Sequence, residues 1–176
     1  MKRTLKIFLI LISTLAYSQN SSESEIFRKI IEQEIQKGVI DIYILCEKSK
    51  TTFDQKVFKE ETILNVPKNI LKEIEINGAK GKNEMWDSEI IELRNISHHI
   101  NENCLTKKDA EGIFKNTKKT QNLIAISKPI FDNNYENCIV SITYWKFAPK
   151  LYGNKYFLKK VYGVWTIIAK YDYSGN

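Results

Sequence analysis

Cys138-Ile139-Val140-Ser141-Ile142-Thr143-Tyr144-Trp145 decides the fold. Most of its residues are β-branched or aromatic, and it holds neither Gly nor Pro, so it reads as a β-strand. Downstream, Tyr156-Phe157-Leu158-Lys159-Lys160-Val161 has the same character, Tyr162-Gly163 has turn chemistry, and Val164-Trp165-Thr166-Ile167-Ile168-Ala169-Lys170 returns as a further strand. Upstream, Leu123-Ile124-Ala125-Ile126-Ser127 is another strand. Pro129 interrupts the chain just after it and places its own surroundings at an edge or a bulge. Asp132-Asn133-Asn134 is a turn. Neighbouring strands with short links pair antiparallel, so this part of the chain reads as a meander of three to five strands. Residues 135–173 hold 11 of the 20 aromatic residues of the chain, which suits a half-buried sheet covered by helices.

Helical signals lie further toward the N-terminus. Thr106 and Asp109 have capping-box spacing and predict a short helix through Phe114, followed by a solvated turn over residues 115–120. Residues 84–105 show no clean period, and Ile90, Ile91, Leu93 and Ile96 fit a short helix or a strand equally. Pro67 opens a helix with Ile70, Leu71 and Ile74 on its apolar face and Gly78 at its end. Thr51 to Phe58 suits an edge strand, pairing with an apolar strand at residues 39–46. Ser22 and Glu25 have capping-box spacing ahead of Ile26, Phe27, Ile30, Ile31 and Ile35, which share one helical face, and Gly38 is the expected C-cap. Glu23, Glu25, Glu32 and Glu34 are expected on the solvated side of that helix. The order, helices first and sheet last, defines one α+β domain over residues 19–176. Gly38 and Gly163 are expected at positive φ, where side chains are poorly tolerated.

Ahead of this domain, Met1-Lys2-Arg3-Thr4-Leu5-Lys6 is basic, residues 7–16 are mostly apolar, and Ala16-Tyr17-Ser18 supplies small residues at a cleavage position. Residues 1–18 therefore read as a secretory signal peptide. The competing reading is a retained anchor, but a membrane-spanning helix needs about 20 apolar residues and this run is shorter. No Cys follows it to carry a lipid. The expected address is periplasmic or secreted, with no membrane anchor after cleavage.

Cleavage changes the charge argument. The chain carries 27 basic and 21 acidic residues, a formal +6. Lys2, Arg3 and Lys6 leave with the leader and no acid does, so the excess falls to +3. Arg28 and Arg94 are then the only arginines, and arginine is the usual side chain for bidentate readout of guanine or phosphate. Sequence-specific nucleic-acid binding is not expected. The abundant Ile, Lys and Asn are those of an AT-rich coding sequence.

Cys46, Cys104 and Cys138 make an odd count, notable in an exported chain. Cys46 closes an apolar strand and reads as a small buried hydrophobe, so Cys104 and Cys138 are the expected disulfide pair. The competing reading is three buried thiols. No metal-ligand spacing, P-loop, Rossmann fingerprint or nucleophile elbow occurs, and no metal or cofactor is expected. His98-His99 is the only imidazole pair, and on a strand the two would point to opposite faces.

The C-terminal third resembles a family of small exported proteins of Bacteroidetes-type bacteria. Ser127-Lys128-Pro129-Ile130-Phe131 before a strand, Phe157-Leu158-Lys159-Lys160, and Gly163-Val164-Trp165-Thr166-Ile167 carry the resemblance, over about residues 123–170. It implies an address and no chemistry. Proteins of this look often carry a Cys- and Gly-rich loop within the meander, where this chain has Trp145 to Gly153. The closing strands are also similar to the sheet of NTF2-like domains, a likeness of fold alone.

Trp145, Lys146, Phe147, Tyr152 and Tyr156 surround Pro149 and Gly153, with Lys150 and Lys155 interleaved. Aromatic rings beside cations suit an anionic or sugar-like ligand or a partner protein. The expectation is a non-enzymatic module that binds an unidentified small ligand or protein through this loop. The alternative is a small hydrolase- or isomerase-like enzyme, with a titratable cluster including a His in a pocket between sheet and helices. A third reading is an inhibitor or immunity-type partner.

Overall fold

The computed structural model describes residues 22–38, 42–80, 84–86, 104–118, 122–145 and 151–175, with side chains over 152–171 of the last stretch. The helices are α1 (residues 22–36), α2 (Gln55–Glu61), α3 (Lys68–Ala79) and α4 (Lys107–Thr117). The strands are β1 (Ile42–Ile44), β2 (Glu47–Lys48), β3 (Glu84–Met85), β4 (Asn122–Ile126), β5 (Ile130–Phe131), β6 (Asn137–Trp145), β7 (Leu151–Val161) and β8 (Val164–Gly175). The class is α+β, with a mostly antiparallel sheet. The leader and His98-His99 lie outside the described residues.

The main sheet runs β1-β4-β6-β7-β8, with β5 also beside β6. β4 and β5 lie along the same neighbour, β6, and are separated at Ser127-Lys128-Pro129. Pro129 lacks the N–H that would continue the ladder, which is the interruption its position predicted. β1 joins β4 in parallel, Ile42 opposite Asn122, whereas the sequence suggested only antiparallel neighbours. β2 and β3 form a separate antiparallel pair, Lys48 opposite Glu84.

Helices cover both faces of the sheet. Against one face, Ile26, Phe27, Ile30 and Ile31 of α1 bury into Ile42, Ile124, Val140, Ile142, Leu158 and Trp165. Against the other, Phe58 of α2 and Leu71 and Ile74 of α3 meet Ile130, Ile139, Phe157 and Tyr171. Beside that second cluster, Ala110 of α4 packs with Leu45, Leu123 and Ala125. The alternation of β4 and β6 thus feeds two cores, which is why their residues are apolar on both faces.

Several local expectations hold. The Thr106–Asp109 capping box forms, and Pro67 stands at the N-cap of α3. Gly38, at φ +80, donates its N–H to Ile35 O at 2.9 Å and closes α1. Others are corrected. Thr51 to Phe58 is not an edge strand, because the Asp54 carboxylate accepts from the N–H groups of Lys56 and Val57 and starts α2, which buries Phe58. Gly78 stands one residue before the end of α3 but is not a positive-φ cap: a Cβ there would come within 2.7 Å of Ile130 Cδ1, so its use is close approach to β5. Ser22 already lies within α1, and Glu25 reaches across to accept the Trp165 N–H at 3.1 Å, closing part of the free edge of β8. Leu151 to Gly153 belong to β7, which starts earlier than Tyr156.

The acidic residues of α1 are the largest correction. Glu23 and Glu34 are buried, at 5% and 1% exposure, at the two ends of the apolar stripe. Their spacing of eleven residues is about three helical turns, which returns both to the face of Phe27 and Ile30.

The β7–β8 turn has Tyr162 at φ 49 and Gly163 at φ 81, the pair of positive φ values that a two-residue hairpin favours. Nothing lies within 4 Å of an added Cβ at Gly163, so a substitution there meets backbone strain alone. Gly163→Val is expected to cost about 1–2 kcal/mol in urea melts. Stability equal to that of the unaltered protein would contradict this account of the turn.

Candidate functional site

The break between β4 and β5 opens a cleft. Its volume is about 410 Å3, within the range of small-molecule sites. The end of α3 contributes Asn77, Gly78 and Lys80, the segment after β2 contributes Lys50 and Thr51, and β3 contributes Glu84. The remaining wall is Lys128 to Asn133 with Tyr135. Four residues of the Ser127–Phe131 segment therefore line it.

The wall is built by interlocking hydrogen bonds. Asp132 Oδ1 accepts from the N–H groups of Glu136 and Asn137 at 2.9 and 3.0 Å, and its Oδ2 accepts from Asn137 Nδ2 at 2.8 Å. This closes the expected turn and uses both carboxylate oxygens. Asn77 Nδ2 donates to Phe131 O at 2.9 Å, tying α3 to β5. Tyr135, at φ 56, holds its ring 5.0 Å from that of Phe131. At the break, Ser127 Oγ accepts the Ser141 N–H at 2.8 Å and a hydrogen bond from Thr51 Oγ1. The backbone groups that a bulge leaves without ladder partners are satisfied in this way.

Four charges of alternating sign run inward from the cleft, Lys128 and Glu84 in its wall and Glu23 and Lys48 buried behind them. Lys128 Nζ donates to both Glu84 oxygens at 2.8 and 2.9 Å. Lys48 Nζ lies 3.1 Å from Glu23 Oε2 and 3.6 Å from Glu84 Oε2, and Lys128 lies 3.9 Å from Glu23 Oε1. Lys48 also sits 4.6 Å from the Trp86 ring centroid, and the Trp86 indole donates to Ile126 O at 3.2 Å. Pairing makes the burial of Glu23 and Lys48 tolerable. The hydrogen bond from Lys128, aided by the charges of Lys128 and Lys48, holds the Glu84 carboxyl below its usual 4.5. At the rim, Lys50 and Lys80 are exposed and make no ion pair among the described residues.

The expected aromatic loop is only partly placed. Tyr156 is 1% exposed, with its hydroxyl donating to Glu34 Oε1 at 2.9 Å and accepting from Lys37 Nζ at 3.0 Å. It is a core residue, out of a ligand's reach. Trp145 is half-buried against the α4 cluster, with Lys107 Nζ 5.5 Å from its ring. Tyr152 is exposed and stacks on Tyr144 at 5.0 Å. Lys146 and Phe147 lie outside the described residues.

Glu34 is the hub of a second polar cluster. It accepts from Tyr144 and Tyr156 and pairs with Lys37, while Asn154 Nδ2 donates to Tyr144 Oη at 2.8 Å. Burial, then the Glu34 carboxylate, pushes the Tyr144 hydroxyl far above its ordinary range, so it stays a donor. On the opposite face, cross-strand register sets Ser141, Lys155 and Tyr171 in one row. Burial lowers the pKa of Lys155, whose Nζ is 3.5 Å from Thr52 Oγ1.

The cysteine expectation is overturned. Cys46 and Cys104 form the disulfide, and Cys138 is a buried free thiol whose pKa burial pushes well up. Cys46 N–H donates to Leu105 O and Leu105 N–H to Ile44 O, at 3.0 and 2.8 Å, which lays the two segments side by side with Cα atoms 5.0 Å apart. Cys138 sits instead under α1, completely buried on β6.

Among the described residues no group of three or more His, Cys, Asp or Glu is placed to hold a metal ion, and no helix is long and apolar enough to cross a membrane. No family model, curated protein or solved structure matches the chain.

Proposed function

We propose that the protein is an exported binding module, not a catalyst, and that its cleft takes a small anionic ligand bearing carboxylate or phosphate oxygens. The observation that carries this reading is the cleft itself, with Lys50 and Lys80 at the rim making no ion pair among the described residues and Lys128 in the wall. Its two carboxylates are already engaged, Asp132 by the turn and Glu84 by lysine, so neither is free to act as a general base. The Tyr135 ring offers an apolar surface beside the cations. The Cys46–Cys104 bridge supports an oxidising compartment and thus export. The ligand site moves from the 145–156 loop to the cleft because Tyr156 is buried.

Calorimetric titration with inorganic phosphate and with citrate tests this. The Lys50→Glu, Lys80→Glu protein, which reverses two exposed charges, is expected to bind at least about tenfold more weakly than the unaltered chain. Equal affinity of the two, or binding of neither anion by the unaltered chain, would remove the cleft from consideration.

A further inference from the structure

We infer that Glu84 occupies the anion position of this cleft from within, so that a ligand's carboxylate or phosphate binds by taking the place of the Glu84 carboxylate on Lys128. The inference rests on the proposed anion-binding reading and adds how that site is regulated. Glu84 lines the cleft, and its side chain is 39% exposed. Both of its oxygens bind one ammonium, at 2.8 and 2.9 Å, which is the contact an external carboxylate or phosphate would make there. The other anion near Lys128, Glu23, is at 3.9 Å and is held more closely by Lys48 at 3.1 Å.

The positions of the two acids make their roles different. Glu23 is buried and stays with Lys48, whereas Glu84 stands on the two-residue strand β3, which pairs with β2 alone among the described residues. A partly exposed ion pair is weak, so a ligand that offers the same charge with additional contacts to Lys50 and Lys80 displaces it at little cost. An occupied ligand site then leaves Glu84 free of Lys128 and loosens the anchoring of β3. The closed state has Glu84 on Lys128, and the open state has the ligand there.

Titration of the full chain with inorganic phosphate distinguishes the possibilities. Glu84→Gln keeps the size of the side chain and removes its charge, and it is expected to bind phosphate about tenfold more tightly than the unaltered protein. Glu84→Asp keeps the charge but withdraws it by one methylene, and a gain of about twofold is expected. Adding Lys128→Met to Glu84→Gln is expected to abolish the gain. Urea midpoints and circular dichroism report whether each variant is folded, and the Asp variant serves if the Gln variant is not. Phosphate binding by the unaltered chain with no gain in either Glu84 variant overturns the inference and leaves the anion-binding reading standing. Absence of phosphate binding in the unaltered chain and in all variants overturns both.

Discussion

Replacing Cys46 and Cys104 together by alanine is expected to lower the unfolding free energy by roughly 4 kcal/mol. The two cysteines are 58 residues apart in sequence, so the bridge closes a long loop that contains α2, α3 and β3. A long closed loop restricts the unfolded chain strongly, and that restriction is lost when the bridge is removed. The folded state loses less, since the hydrogen bonds between Leu105 and the Ile44–Cys46 segment persist. Urea melts of the double variant and of the unaltered protein under reducing conditions are expected to coincide. A double variant within about 1 kcal/mol of the oxidised protein would show that the bridge constrains little. Cys138→Ala serves as the contrasting case, because it removes a buried sulfur without touching the loop.

Glu34→Ala is expected to cost about 3 kcal/mol, while Glu34→Gln costs about 1 kcal/mol. The carboxylate accepts from Tyr144 at 2.6 Å and from Tyr156 at 2.9 Å and pairs with Lys37. Alanine leaves the Tyr156 hydroxyl, on a side chain only 1% exposed, without its acceptor. Glutamine retains a carbonyl oxygen for one tyrosine and loses the ion pair. Because these bonds fasten the C-terminal end of α1 to β6 and β7, amide exchange in α1 is expected to accelerate in the alanine variant. Equal costs for the two substitutions, both small, would show that the Glu34 cluster does not fasten α1, which then rests on its apolar face and on the contacts of Glu23 and Glu25.

The local features of the fold were legible. The meander from 123 to 170 announced itself through β-branched and aromatic runs broken by Asp132-Asn133-Asn134 and Tyr162-Gly163, since strand and turn chemistry are short-range. The same holds for the Thr106–Asp109 cap and for Gly38, whose partners lie within a few residues. Asp54 carried a legible signal that the β-branched and aromatic residues Thr51, Phe53 and Phe58 obscured: an N-cap side chain outweighed a short strand-like run. Glu23 and Glu34 show a different limit. Their positions on the helical face follow from the helical repeat, but a glutamate on an apolar face reads as solvated until a lysine or tyrosine from another element is placed against it.

The candidate site was the least legible part. Lys128 to Phe131 stood out as a segment, and Pro129 gave a physical reason to expect a break in the sheet there. Nothing local joined that break to Asn77 and Lys80 on α3, to Lys50 after β2 or to Glu84 on β3. The aromatic-basic run from Trp145 to Tyr156 looked more like a site because its residues are adjacent in sequence. On β7, however, Tyr156 faces α1 and enters the core.

By itself, the sequence determined the class of the fold, its principal strands, three of its helix ends and the position of its hairpin turn, because each rests on interactions between residues close in the chain. Tertiary structure alone decided the parallel pairing of β1 with β4, the partner of Cys46, the inward placement of Glu23 and Glu34, and the cleft with its opposed lysines and Glu84. Those features depend on which distant segments meet when two helical layers close over one sheet. Distance in space, rather than residue type, sets the partner of each charge and each thiol.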